Sequence, residues 1–214
     1  MTRLMGLEPI LLFDLDRTLI DAQSYTDYHA AVRDVDEIVG DWPDLDVPET
    51  EWDAPTLRCM GVLVALSGDE RWSTVSDAIE RHEIAAHAQS TAMPGLAECL
   101  EQTSDLRRAV VTLLPERASR MILDFHDVKI DLIVPRAPIY RPKPAPDQLW
   151  RAVEALGGTS DDAVFVGDSS WDAAAAEAAG IRFVGVNNNG TSQFDQGTES
   201  HSDLLTAVAA ATTR

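Results

Sequence analysis

The chain has 214 residues, 45% of them hydrophobic and 25% charged, enough to build one large domain, or a domain with a sizeable insertion, around an ordinary buried core. With 36 acidic against 17 basic residues the formal net charge is −19, a field that repels nucleic acid and anionic membrane surfaces and argues against both as partners. No apolar run is long enough for a membrane helix, the start Met-Thr-Arg-Leu-Met-Gly lacks the apolar stretch of a signal peptide, and Cys59 and Cys99 show neither metal spacing nor a disulfide framework. The expected setting is therefore a reducing cytoplasm. Lys129 and Lys143 are the only lysines, and arginine supplies the remaining positive charge. An acidic, lysine-poor surface suits a high-salt interior, although high-GC codon usage also replaces lysine by arginine.

Along the chain, the apolar run Ile-Leu-Leu-Phe at 10–13 leads straight into Asp14, Asp16 and Thr18. This is the pattern of a strand buried on both faces, whose end delivers polar groups out of the core. In open α/β sheets the site lies outside such carboxyl ends. Residues 23–39 carry apolar side chains at helical spacing, with Gly40 as a cap. Residues 41–55 are rich in proline and acidic side chains and have no period, so they form a long loop, either functional or mobile. Residues 56–66 and 70–89 are two further helical segments. The second has Trp72, Val75, Ile79 and Ala86 on one side and Glu80, Arg81 and Glu83 elsewhere.

From Leu96 onward the pattern alternates. A helix at 96–102 precedes a strand at 108–112 that ends in Thr112, and a helix at 115–125 precedes a strand at 131–134. Helices at 145–156 and 171–179 flank a strand at 163–167, and a strand at 182–186 precedes a last helix at 202–211. The arrangement predicts an α/β fold with a Rossmann-like parallel sheet in a three-layer α/β/α core. The core would take residues 1–21 and 92–214, and residues 22–91 would form an inserted all-helical cap domain.

An Asp-x-Asp pair carries little information alone, because Asp34-Val-Asp36 and Asp44-Leu-Asp46 occur as well, in a predicted helix and in the acidic loop. Both read as solvated surface. Asp14-Leu15-Asp16 differs through the buried strand before it and Thr18-Leu19 after it. Thr112, taken alone, is a β-branched residue in a strand. Lys143 lies in Arg141-Pro142-Lys143-Pro144-Ala145-Pro146, where alternate prolines hold the backbone extended, so the lysine is expected to be presented rather than packed. In Val164-Phe165-Val166-Gly167-Asp168-Ser169-Ser170-Trp171-Asp172, Asp168 projects from a strand end and Asp172 follows one helical turn later. Asp172 would also suit the positive end of the helix dipole. The five histidines, His29, His82, His87, His126 and His201, are scattered and read as structural or surface residues.

In this order, each at a strand end, the four elements resemble the haloacid dehalogenase superfamily of phosphohydrolases, in its phosphoglycolate phosphatase-like branch with a helical cap. The first motif, hydrophobic-Asp-x-Asp-x-Thr, matches residues 13–18. The second matches Thr112, the third Lys143-Pro144, and the fourth, Gly-Asp-Ser-x-x-Asp, residues 167–172. Arg58-x-x-Gly61 resembles a polar loop that some of these caps lower over the substrate. The resemblance implies a Mg²⁺-dependent phosphatase acting on a small phosphorylated metabolite, phosphoglycolate-like or sugar-phosphate-like. Asp14 would be the nucleophile that forms an aspartyl-phosphate, Asp16 the acid and base, and Thr112 and Lys143 the holders of the phosphoryl oxygens. Asp14, Asp16 through its carbonyl, Asp168 and Asp172 would surround the metal.

An all-oxygen ligand set favours Mg²⁺ over zinc or copper. An acid at position 16 argues against carbon–halogen cleavage, which has no leaving group to protonate. A phosphosugar mutase of the same family and a non-catalytic member that binds a phosphorylated ligand or a protein partner are the alternatives. The chain departs from the family pattern at Arg17, where Gly is usual, and at Leu113, where Asn or a small residue is usual. Arg17, Thr18, Leu113 and Arg58 are therefore the candidate substrate contacts. A monomer or homodimer is expected.

Overall fold

The computed structural model describes residues 9–187, 190, 192 and 194–213; the N-terminal residues read above for a signal peptide lie outside them. Strand β1 (Ile10–Phe13) is buried at every residue and forms the centre. Its alternation decides what packs on each face. Leu11 and Phe13 join one cluster with Val110 of β4 (Arg107–Pro115) and with helices α4 (Leu96–Gln102), α5 (Glu116–Phe125) and α8 (Leu204–Thr212). Ile10 and Leu12 join the opposite cluster, with α6 (Asp147–Ala155) and α7 (Ser170–Ala179). Helices thus cover both faces of the sheet, as the alternating pattern predicts.

The sheet runs β5 (Leu132–Arg136), β4, β1, β6 (Ala163–Gly167), β7 (Arg182–Val186) and β8 (Ser200–His201), with every neighbouring pair parallel. Phe13 lies opposite Val110 on one side and Val166 on the other. Asp14 and Asp168 therefore leave two adjacent strand ends, and Thr112 within β4 sits beside them at nearly one level. This register turns residues scattered through the sequence into one site.

Helices α1 (Tyr28–Val39), α2 (Ala54–Ala65) and α3 (Trp72–Ala86) pack on one another around Val35, Cys59, Leu63, Val75 and Ile79. Asp27 and Asp53 cap the first two, each accepting a backbone N–H at 2.9 Å, and Gly40 ends α1 with φ 67°. Residues 23–25 form a separate 3₁₀ turn, so α1 begins later than its apolar spacing suggests. A two-stranded antiparallel ribbon, β2 (Ile20–Asp21) with β3 (Thr91–Ala92), joins the two crossings between these helices and the sheet. Strands of two residues carry no readable period, which is why the ribbon and β8 are absent from the sequence reading.

Residues 41–53 form neither helix nor strand, as expected, but they are anchored. The Trp171 indole donates to the Pro48 carbonyl at 3.1 Å, the Ser170 hydroxyl donates to that of Glu49 at 2.6 Å, and Trp52 packs on Trp171 with ring centroids 4.9 Å apart. Cys59 and Cys99 are free and buried, and burial pushes both thiols up to about 12. Among the described residues no helix is long and apolar enough to cross a membrane.

Candidate active site

Asp14 follows the last residue of β1 and is pinned there by its own N–H, which donates to the Val166 carbonyl at 2.9 Å. Lys143 arrives from the loop between β5 and α6, through a cis Lys143–Pro144 peptide. Its ammonium donates to Asp14 Oδ1 at 2.6 Å, Asp172 Oδ1 at 2.6 Å and the Val111 carbonyl at 3.1 Å. All three donors are used, and the side chain is almost completely buried. The prolines do present this lysine, but to the interior of the site, so the expectation that it is not packed is corrected. Two carboxylates compensate the burial of its charge.

Asp172 sits at the first turn of α7 in a capping box with Ser169, whose backbone N–H and hydroxyl reach Asp172 Oδ2 at 3.1 and 2.6 Å. Gly167 makes room for this arrangement, since a Cβ there would lie 2.7 Å from that of Asp172. Asp14, Asp168 and Asp172 can each offer a carboxylate oxygen such that all these atoms lie within 4.8 Å of one another. The donors are all hard oxygens, a set that fits Mg²⁺. Asp16 contributes no carboxylate oxygen to that group. Its Oδ1 instead accepts the backbone N–H groups of Ala22 and Gln23 at 2.9 and 3.0 Å, which orients the side chain toward the pocket beside Asp14.

The charges do not balance within the protein. Around one ammonium stand the carboxylates of Asp14, Asp16, Asp168 and Asp172, with the Arg17 guanidinium 3.9 Å from Asp168. Burial pushes Asp14 up to about 7, with Asp172 adding to the rise and Lys143 opposing it. Burial likewise pushes Asp16 up to about 7, against its two backbone hydrogen bonds. Asp168 is held well above the usual carboxylate range, first by burial and then by the Asp14 and Asp172 charges. Burial would lower Lys143, but Asp14 and Asp172 outweigh it and hold the amine above its ordinary value. Protons or a cation must supply the missing positive charge.

Thr112 lies in the pocket wall, and its hydroxyl oxygen accepts the Leu114 N–H at 3.1 Å, which leaves its own proton to donate. The ladder between β4 and β5 shifts register just after it, between Val111 and Pro115, and the strand runs on to Pro115 instead of ending at Thr112. Leu113 also lines the pocket. Arg17 adopts φ 60° in the turn after β1 and leans toward Asp168.

Two nominated residues are placed elsewhere. Thr18 is fully buried within that turn, its hydroxyl without a partner, and it does not line the pocket. Arg58 pairs with Asp36 at 3.3 Å and stacks over Trp42 at 4.0 Å, also away from the pocket. Of the other Asp-x-Asp pairs, Asp34 and Asp36 bind surface partners on α2 and α3, and Asp44 and Asp46 are exposed.

Three residues not nominated from the sequence complete the site. Gln148 on α6 is fully buried; it accepts the Lys143 N–H at 2.9 Å and donates to the Thr112 and Val134 carbonyls at 2.9 and 3.2 Å. Arg136, the last residue of β5, binds both carboxylate oxygens of Glu83 on α3 at 2.7 and 2.9 Å. Glu83 follows Ile79 by four positions and precedes Ala86 by three, so it belongs on the apolar stripe of its helix, and that spacing could have revealed it.

The sequence model of the haloacid dehalogenase-like hydrolase family matches residues 11–186. The chain belongs to this family. It is 31% identical over 195 residues to a phosphoglycolate phosphatase of Pseudomonas fluorescens, covering 83% of this chain and 69% of that one. With a phosphoglycolate phosphatase of Cereibacter sphaeroides the identity is 33% over 185 residues, with 82% and 83% covered. The fold is shared with a hydrolase from Pseudomonas syringae, at TM-score 0.66, 23% identity and 94% and 97% coverage. It is shared too with a phosphatase of the family from Thermococcus onnurineus, at TM-score 0.64, 20% identity and 95% and 98% coverage.

Proposed function

We propose that this chain is a Mg²⁺-dependent phosphatase that hydrolyses a small phosphomonoester through an aspartyl-phosphate on Asp14. The observation that carries this reading is the buried cluster at one strand-end level. Asp14 is held by Lys143 at 2.6 Å, Asp168 and Asp172 lie within ligand distance, and Asp16, pushed up to about 7, opens into the same pocket. A Mg²⁺ ion held by Asp14, Asp168 and the Asp16 carbonyl, with Asp172 behind them, would offset the repulsion between an anionic nucleophile and an anionic phosphate.

A carboxylate oxygen of Asp14 attacks phosphorus, and the bond to the leaving oxygen breaks. Asp16, in its acid form, gives that oxygen a proton. Asp16 then takes a proton from the water that attacks the aspartyl-phosphate, and phosphate and free Asp14 result. The Thr112 hydroxyl proton is available to a phosphoryl oxygen. Lys143 fixes the nucleophile and reaches a phosphoryl oxygen by exchanging one of its present acceptors. Residues 22–91 act as the cap, joined to the core domain of residues 1–21 and 92–214 through the β2–β3 ribbon. The cavity beneath it measures about 30 Å³, room for roughly one or two water molecules, so a lifting cap would widen it for a substrate.

The purified protein is expected to release phosphate from members of a broad phosphomonoester panel with Mg²⁺, to stop with a chelator, and to be inactive as Asp14→Asn. Undiminished turnover by Asp14→Asn would overturn the mechanism, and a panel without any turnover would favour a ligand-binding role.

A further inference from the structure

The wall that faces the reacting groups from the inserted segment consists of Gln23, Tyr28, Trp52, Thr56, Met60 and Glu83. Glu83 is its charged member and is buried. Arg136 accompanies it with every donor engaged. Nε binds the Ser76 hydroxyl at 3.0 Å, Nη1 binds Glu83 Oε1 at 2.7 Å and the Leu113 carbonyl at 2.8 Å, and Nη2 binds Glu83 Oε2 at 2.9 Å and the Ser76 carbonyl at 3.1 Å. A guanidinium has five N–H groups, so none is left for a substrate anion. Arg58 faces Asp36 and Trp42, and Arg17 leans toward Asp168 among the reacting carboxylates.

Among the described residues, the leaving-group wall therefore offers no cation and one carboxylate, already neutralised inside the protein. A carboxylate on the substrate would be desolvated beside Glu83 without a counter-charge. Hydroxyl groups would find matching partners in Gln23, Thr56 and the Tyr28 hydroxyl.

We propose that the leaving group accepted here is an uncharged, hydroxyl-bearing alcohol, and that the Glu83–Arg136 pair makes the site select against a carboxylate in that position. The proposal rests on the phosphatase reading above, and it separates this chain from relatives named for phosphoglycolate, whose leaving group carries a carboxylate.

A matched pair of esters tests it: 2-phosphoglycolate and 2-hydroxyethyl phosphate differ only in a carboxylate against a hydroxymethyl group. The wild-type kcat/KM is expected to favour 2-hydroxyethyl phosphate at least about tenfold. Calorimetric binding of the two esters to Asp14→Asn protein with Mg²⁺ should give the same order without turnover. Met60→Lys, which adds a cation to the wall, and Glu83→Gln, which leaves the Arg136 charge uncompensated, should each move the ratio toward phosphoglycolate. Equal or faster wild-type turnover of phosphoglycolate would overturn the proposal while the phosphatase reading stands. If no ester is turned over, that reading fails, and tighter binding of phosphoglycolate in the calorimeter would overturn the proposal independently.

Discussion

Lys143 carries the central conflict of this molecule at the scale of single residues. Its ammonium lies 2.6 Å from both Asp14 and Asp172, yet Asp16 and Asp168 share the same buried neighbourhood. In the metal-free protein Asp14 and Asp16 are pushed up to about 7, and Asp168 is held well above its ordinary value. A carboxyl whose folded pKa exceeds its unfolded value stabilises the fold in acid, and that contribution is lost as pH rises through the folded value. Lys143, also raised, keeps its contribution until far into the alkaline range. Without a bound cation the protein should thus lose stability between about pH 5 and pH 8, and on the proposed reading Mg²⁺ would take the place of the missing protons. The thermal shift on adding Mg²⁺ is expected to be larger at pH 8 than at pH 6; an equal or larger shift at pH 6 would show that the cation does not compete with these protons. Asp14 and Asp168 were legible in the sequence because each follows a recognisable strand, Thr112 because it closes a short apolar run, and Lys143 because it sits between prolines. Gln148 was not, because a buried glutamine declares itself only through the backbone groups it joins, here Lys143, Thr112 and Val134.

Between elements, the main polar tie is the one from the end of β5 to α3. Arg136 and Glu83 are both almost wholly buried, and the same guanidinium holds the Leu113 carbonyl beside Thr112. This gives the departure at Leu113 a structural context: its backbone serves as an acceptor while its side chain lines the pocket. Removing one partner from a buried ion pair strands the other charge, at a cost of about 3–5 kcal/mol, whereas replacing both by apolar groups is close to neutral. Arg136→Met should therefore lower stability to urea by about that amount, and Arg136→Met with Glu83→Leu should recover most of it. A single variant that costs less than about 1 kcal/mol would mean that the pair behaves as an exposed bridge. The alternating elements after Leu96 were legible because a doubly covered parallel sheet needs apolar strands separated by amphipathic helices. The β2–β3 ribbon was not, because two residues per strand leave no pattern, and Glu83 was placed off the apolar side although it shares the stripe of Ile79. A charge on an apolar stripe points to a partner elsewhere in the fold, and here that partner was 53 residues away in sequence.

For the whole molecule, the net charge of −19 acts on stability as well as on partners. Asp41, Asp44, Asp46 and Glu49 are all exposed on the 41–53 segment. That segment lies against α7 through the Pro48 and Glu49 carbonyls and carries Trp52 into the pocket wall. Repulsion among these groups, and between them and the acidic site, opposes the closed arrangement. Salt screens it, because the Debye length falls from about 10 Å at 0.1 M to about 3 Å at 1 M. The melting temperature is expected to rise steadily with KCl over that range, and Asp44→Lys with Asp46→Lys should flatten the slope. KCl suits this test because chloride lacks the strong surface exclusion of sulfate, which would raise the melting temperature through apolar burial instead. A melting temperature indifferent to KCl would show that self-repulsion is already offset within the fold, and would leave codon composition as the explanation for a chain with only two lysines.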